Sequence, residues 1–81
     1  MPLYRTRPEF VEAILLLPET AEQIARWTGG EVQWIEGKVT VTIPTAMGQI
    51  MALDHMYVVK DMKNQWNVMT INDFVGKYEL I

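Results

Sequence analysis

The one histidine of the chain, His55, directly follows Asp54, and an imidazole beside a carboxylate is a common start for acid–base or metal chemistry. A metal ion needs three or four ligands, and the chain offers no second histidine and no cysteine. Serine is absent as well, which excludes a serine nucleophile. We therefore interpret His55 as a turn residue at a strand edge, and we predict a protein that is not an enzyme and has no metal or cofactor.

Aromatic and basic side chains form a second candidate group, in which Trp66 follows a polar segment that contains Lys63. Protein interfaces favour Trp, Tyr and Arg, and aromatic rings also stack on nucleotide bases. The candidate partner- or ligand-binding residues are Arg5, Arg7, Tyr57, Lys60, Lys63 and Trp66. In the alternative interpretation, Trp66 is a sheet residue that covers the final helix, and the two arginines protect a solvated strand edge.

Length and composition restrict the classes of protein that remain. The 81 residues are predicted to form one domain, 1–81, and 49% hydrophobic with 21% charged residues is typical of a packed globule. A net charge of −3 argues against nucleic acid as a partner, because there is no basic surplus to neutralise phosphates. The longest apolar stretch, Ala13 to Leu17, is far too short to span a membrane. The lack of cysteine fits a reducing cytoplasm.

The first half of the chain predicts a strand and then a helix. The apolar run from Phe10 to Leu17 favours a strand buried on both faces, with a helix as the alternative. Thr20-Ala21-Glu22-Gln23 has the sequence of a capping box, which starts a helix near residues 20–28. Gly29-Gly30 supplies its left-handed stop.

A hairpin is predicted around Glu36-Gly37, with Ile35 opposite Lys38 and with apolar residues alternating on both strands. One face of the hairpin is expected to be core and the other solvated. The predicted core face comprises Val32, Trp34, Val39 and Val41, and Phe10 is also assigned to the core.

Pro44 is expected to break the second strand of the hairpin. Further strands are predicted at Gln49–Leu53, Tyr57–Lys60 and Trp66–Met69, and Thr70 is expected to cap a last helix. The predicted fold class is α+β: a small antiparallel sheet of five or six strands, one helix near residues 20–28 and a short C-terminal helix near 71–76.

Two short helices cannot cover a sheet of this width, because strands lie about 4.8 Å apart and a helix rises about 1.5 Å per residue. The uncovered apolar side chains therefore predict a homodimer or a stable hetero-complex. The predicted association patch contains Leu16, Met51 and Met56.

The segment Tyr4-Arg5-Thr6-Arg7-Pro8-Glu9-Phe10-Val11-Glu12-Ala13-Ile14 resembles the opening of a family of small bacteriophage and prophage proteins. The run Tyr57-Val58-Val59-Lys60, with Trp66, Phe74 and Tyr78-Glu79, resembles that family's ending, a Tyr-Ile-Ile-Lys-Gly strand followed by a Phe-x-x-x-Tyr-Glu helix. The chain departs from the family pattern at Thr6, His55, Met56, Asp61, Asn64 and Ile71. The resemblance implies a phage origin and action inside the host cytoplasm.

Three functions are compatible with these residues. The leading hypothesis is a small phage-encoded interaction protein that binds and inhibits a host protein or protein complex, such as an antiviral defence component. The alternative is an oligomeric sponge that sequesters a small nucleotide signal, with the basic residues on the phosphate and an aromatic ring on the base. The third is a structural or assembly component of a virion.

Overall fold

Two antiparallel sheets and two helices make up the fold in a computed structural model of the chain, which describes residues 2–5 and 10–80. The strands are β1 (Leu3–Arg5), β2 (Phe10–Leu15), β3 (Glu31–Ile35), β4 (Lys38–Thr45), β5 (Gly48–Leu53), β6 (Met56–Lys60), β7 (Trp66–Thr70) and β8 (Glu79–Leu80). The helices are α1 (Ala21–Thr28) and α2 (Ile71–Lys77). The predicted α+β class and both predicted helices are confirmed.

The strands divide between two antiparallel sheets and do not form the predicted single sheet of five or six strands. One sheet has the order β3-β4-β5, and the other joins β2, β6 and β7 and is extended by the short β1 and β8, in the order β7-β6-β2-β1-β8. The chain passes between sheets at Asp54 and His55, where the His55 N–H donates to the Leu16 carbonyl at 2.8 Å. His55 adopts a φ of 65° there, so its interpretation as a turn residue is confirmed.

Strand β2 is buried on both faces, as its continuous apolar sequence predicts. Val11 and Ala13 pack on one face against Phe74 of α2. Ile14 and Leu16 point to the opposite face and join the core that α1 and the β3-β4-β5 sheet complete. Leu16 has an exposed fraction of 0%, which removes it from the predicted association patch.

Helix α1 ends as predicted, but it does not begin as predicted. Gly29 is left-handed at a φ of 72°, and the following N–H, of Gly30, donates to the Ala25 carbonyl at 3.0 Å. Thr20 precedes the helix, yet its hydroxyl caps no helical N–H. That hydroxyl instead accepts from the Leu17 N–H at 2.9 Å and donates to the Leu15 carbonyl at 2.6 Å. The predicted capping box is therefore wrong, because the Thr20 hydroxyl bonds to the backbone of the turn after β2 and not to the helix.

The β3–β4 hairpin has the predicted register, with Ile35 opposite Lys38 and Glu31 opposite Thr42. Glu36 and Gly37 both have positive φ, 50° and 78°, as a type I′ turn requires. Two burial assignments are wrong. Trp34 is 59% exposed because it lies on the edge strand, and Thr40, on the predicted solvated face, is only 3% exposed.

Pro44 lies within β4 and does not break it. The register with β3 stops at Thr42, two residues earlier, so β4 is paired only with β5 at this point. A proline fits there because no strand on that side needs its missing N–H.

The C-terminal part follows the prediction closely. β6 and β7 pair, and the Thr70 hydroxyl caps α2 by accepting from the Asp73 N–H at 3.2 Å. Beyond α2, β8 pairs with β1, which places the first and the last strand side by side. Phe10, predicted as core, is 42% exposed.

Candidate interaction surface

The outer face of the β3-β4-β5 sheet, turned away from α1 and the core, carries large apolar side chains. Strand alternation places Val39 and Val41 in the core, so the intervening Thr40 and its cross-strand neighbours face outward. Three large apolar residues on this face are 43–49% exposed, and we call them the outer-face patch: Ile35, Met51 and Leu53. No described helix or strand is packed over them, since α1 joins the core on the other side.

Thr40 lies in the middle of the outer-face patch, and its hydroxyl has a hydrogen-bond partner within the protein. It is opposite Gln33 on β3 and opposite Leu53 on β5. Its hydroxyl donates to the Gln33 carbonyl at 3.1 Å. The centre of this face is therefore dry and internally bonded, with apolar side chains around it.

A shallow cavity of about 360 Å³ lies at one end of the same face. Ile35 and Leu53 supply apolar walls, and Lys38, Asp54 and His55 supply charged or polar ones. His55 Nδ1 lies 3.0 Å from Asp54 Oδ1, and this buried oxygen has no hydrogen-bond donor among the described residues. Among residues 2–5 and 10–80, no group of three potential ligand side chains could hold a metal ion.

Lys60 and Trp66, two of the predicted binding residues, are brought together. They are direct cross-strand partners, and the Lys60 Nζ lies 5.7 Å from the centre of the Trp66 ring. Trp66 also meets Trp27 of α1, edge to face, with 4.8 Å between ring centres. Trp66 thus packs against α1, and the interpretation that it covers the final helix is wrong.

Tyr57 lies on the opposite face of the sheet from Lys60 and Trp66, because odd and even positions of β6 alternate. Its ring stacks on Phe74 of α2, with 3.9 Å between ring centres and 15° between planes. One ring face of Tyr57 is therefore occupied within the protein, and the two predicted stacking residues do not converge on one ligand.

The remaining predicted residues are dispersed. Lys63 is exposed in the β6–β7 turn, where its N–H donates to the Asp61 carboxylate at 2.8 Å. The backbone of Arg5 belongs to β1, and Arg7 lies outside the described residues. Met51 belongs to the outer-face patch, whereas Met56 is only partly exposed at the start of β6.

Sequence reasoning missed Ile35 and Leu53. Ile35 offered a signal, since it interrupts the alternation and falls on the polar side of the hairpin beside Lys38. Leu53 offered none, because its place beside Thr40 depends on the β4–β5 register, which was not predicted.

The described residues thus form a small α+β domain with one open sheet face. No protein-family model, no curated protein and no solved structure matches the chain. Neither helix of the described part has the length and apolar character needed to cross a bilayer.

Proposed function

We propose that this chain is an interaction protein that binds another protein through its outer-face patch and does not act as an enzyme. The observation that carries the proposal is the exposure of Ile35, Met51 and Leu53 on one side of one sheet. Apolar side chains gathered on a face with no cover are typical of protein-binding surfaces. Burying them against a partner would contribute roughly 25 cal/mol for each Å² of apolar surface removed from water.

The partner that suits this face is a protein with an apolar surface and a mixed-charge rim. Lys38 and Glu36 border the outer-face patch at the hairpin turn, and Glu31 lies at the other end of β3. Charges of both signs at the rim favour a defined orientation more than raw affinity. A nucleic acid suits it poorly, since one lysine and two glutamates give no positive field.

The resemblance to small phage and prophage proteins supports the biological part of the proposal. It rests on Tyr4–Ile14 and on the later segment through Tyr78-Glu79. We propose accordingly that the protein is phage-encoded, acts in the host cytoplasm, and inhibits a host protein or complex such as a defence component.

The nucleotide sponge remains a second proposal because of one observation beside Trp66. A cavity of about 280 Å³ lies there, and its lining includes the apolar Ile50 and Met47 and the polar Asn64 and Gln65. The Trp66 ring suits stacking on a nucleotide base, and the nearby Lys60 cation suits a phosphate. A panel of cyclic nucleotides tests it: a ligand at 100 times its Kd would add about 2.7 kcal/mol to the stability. No shift in Tm with any of them would exclude the sponge.

The main proposal is tested with three immobilised proteins in host lysate: wild type, Leu53→Glu and Met62→Glu. Met62 is a matched control because it is also an exposed apolar residue, 70% exposed, in the remote β6–β7 turn. We expect a host protein that wild type and Met62→Glu retain and that Leu53→Glu loses, with the same circular dichroism for all three. Equal retention by all three, or retention by none, would contradict the proposal.

A further inference from the structure

Strand β3 forms an open edge of the β3-β4-β5 sheet. The two-residue turn makes Ile35 and Lys38 a hydrogen-bonded pair, and bonded and non-bonded pairs alternate along an antiparallel ladder. The backbone of Gln33 therefore faces β4, whereas that of Val32 and Trp34 faces away from the sheet. Four backbone groups, two N–H and two C=O, are thus presented to an added strand.

In the part of the chain that the structure describes, this edge lacks the usual protection against pairing. Natural edge strands are blocked by lysine, proline, a bulge or a cover. β3 contains no lysine and no proline, and its five pairs with β4 run without a bulge. Its only charge is Glu31, at the first position, and Trp34 is 59% exposed beside the open edge.

We propose that β3 pairs with β3 of a second copy of the chain, antiparallel, about a two-fold axis that passes through Gln33. In this register Val32 lies opposite the partner's Trp34, and these are the residues whose backbone groups point outward. The two pairs exchange four backbone hydrogen bonds. The result is a continuous sheet of six strands, three from each copy.

Self-complementarity is what identifies a second copy as the occupant. The register centred on Gln33 pairs all five residues of β3. It stacks Val32 on the partner's Trp34, a β-branched residue against an aromatic ring, which is a favourable cross-strand pair. It also sets Glu31 opposite the partner's Ile35, so that no two like charges meet.

The proposal does not depend on the proposed function, because its hydrogen bonds use the edge of the sheet, and Ile35 is the one residue of the outer-face patch that lies at the contact. The contact involves one five-residue strand from each copy, which places it below the roughly 1,200 Å² of standard interfaces. We therefore expect a reversible dimer, in which the two outer-face patches lie on one side of one sheet.

Single cysteines test both the dimer and its register, since the chain has no cysteine of its own. In the proposed dimer, position 33 lies opposite itself as a non-bonded pair with Cα atoms about 4.5 Å apart, within disulfide reach. Position 31 is the matched control on the same strand face. In the proposed dimer, position 31 of one copy lies four residues along the strand from position 31 of the other copy. That distance is about 13 Å, which a disulfide cannot span.

Under mild oxidation we expect Gln33→Cys to form a covalent dimer at least about tenfold faster than Glu31→Cys, at a mass twice 9.4 kDa. In sedimentation, we expect the cysteine-free protein to dimerise at high concentration and Trp34→Lys to remain monomeric. Val75→Lys, at a similarly exposed position on α2, should dimerise like wild type. A monomeric wild type, equal oxidation rates, or a dimer that survives in Trp34→Lys would each overturn the proposal. The oxidation result does not depend on the folding of Trp34→Lys.

Discussion

Thr40 and Leu53 are direct cross-strand neighbours on the outer face of the three-stranded sheet, yet Thr40 is 3% exposed and Leu53 is 49% exposed. The threonine is covered by its neighbours and donates to the Gln33 carbonyl, so its polar group is satisfied. Leu53 gains less from folding than a fully buried leucine does, because about half of it stays in water. The residues of the outer-face patch therefore keep close to half of their surface exposed to water.

The contrast between core and patch predicts unequal costs of truncation. Leu16→Ala should lower the free energy of unfolding by about 2–5 kcal/mol, because it empties a fully buried position. Met51→Ala should lower it by clearly less, about 1 kcal/mol, since 43% of Met51 stays exposed in the folded protein. Urea unfolding followed by tryptophan fluorescence measures both. If Leu16→Ala does not fold, Leu16→Met, which conserves volume, should fold with a loss below about 1.5 kcal/mol. Equal losses for Leu16→Ala and Met51→Ala would show that Leu16 is not core.

Thr20 is predicted to act in the turn after β2 and not as part of a capping box. Thr20→Ala should cost about 1–2 kcal/mol because the Leu17 N–H and Leu15 carbonyl lose their partner. Gln23→Ala should change stability by less than about 0.5 kcal/mol, as an exposed helix substitution. Thr20→Ser keeps the hydroxyl and serves as the control in thermal unfolding. A large loss of stability in Gln23→Ala would instead support the capping box.

The cap of α2 makes a separate prediction. Thr70→Ala removes the acceptor of the Asp73 N–H and should cost about 1 kcal/mol, or about 4–8 °C in Tm for a domain of this size. Thr70→Ser should retain most of the stability. Calorimetry gives the comparison, and identical Tm values for the alanine and serine variants would argue against a capping role.

Gly30 is predicted to be required for close approach between the end of α1 and β4. A Cβ at this position would collide with the Thr42 backbone carbonyl, so Gly30→Ala should lower the free energy of unfolding by more than about 1 kcal/mol. Gly37→Asn is a suitable contrast: a Cβ meets nothing there, and asparagine tolerates the positive φ of the turn. The denaturant midpoints of the two variants, compared with that of the wild type, test this prediction. A Gly30→Ala protein as stable as wild type would mean that the two backbones can separate at little cost.

Local signals in the sequence were sufficient for several elements. The Glu36-Gly37 turn and the alternation around it determined the register of β3 and β4, and Gly29 and Thr70 marked the end of α1 and the start of α2. These features depend on residues close together in the chain, so their physical chemistry can be evaluated from the sequence.

Long-range pairing could not be predicted in the same way. β2 pairs with β6 through contacts such as Ala13 with Val59, more than forty residues apart, and no local residue specifies that choice. The division into two sheets, and with it the burial of Leu16 and exposure of Trp34, follows from this pairing. Of the candidate site only Met51 was predicted, because Leu53 joins Ile35 only when β5 is paired with β4 in the register that places Leu53 opposite Thr40.

Site-specific photo-crosslinking in host cells tests the central claim, that the outer-face patch binds a protein, most directly. A photoreactive amino acid replaces Leu53 in one version of the chain and Val75, which is 62% exposed on α2, in another. We predict a discrete covalent adduct with one host protein from position 53 and none from position 75. The same adducts from both positions, or an adduct from position 75 alone, would contradict the account.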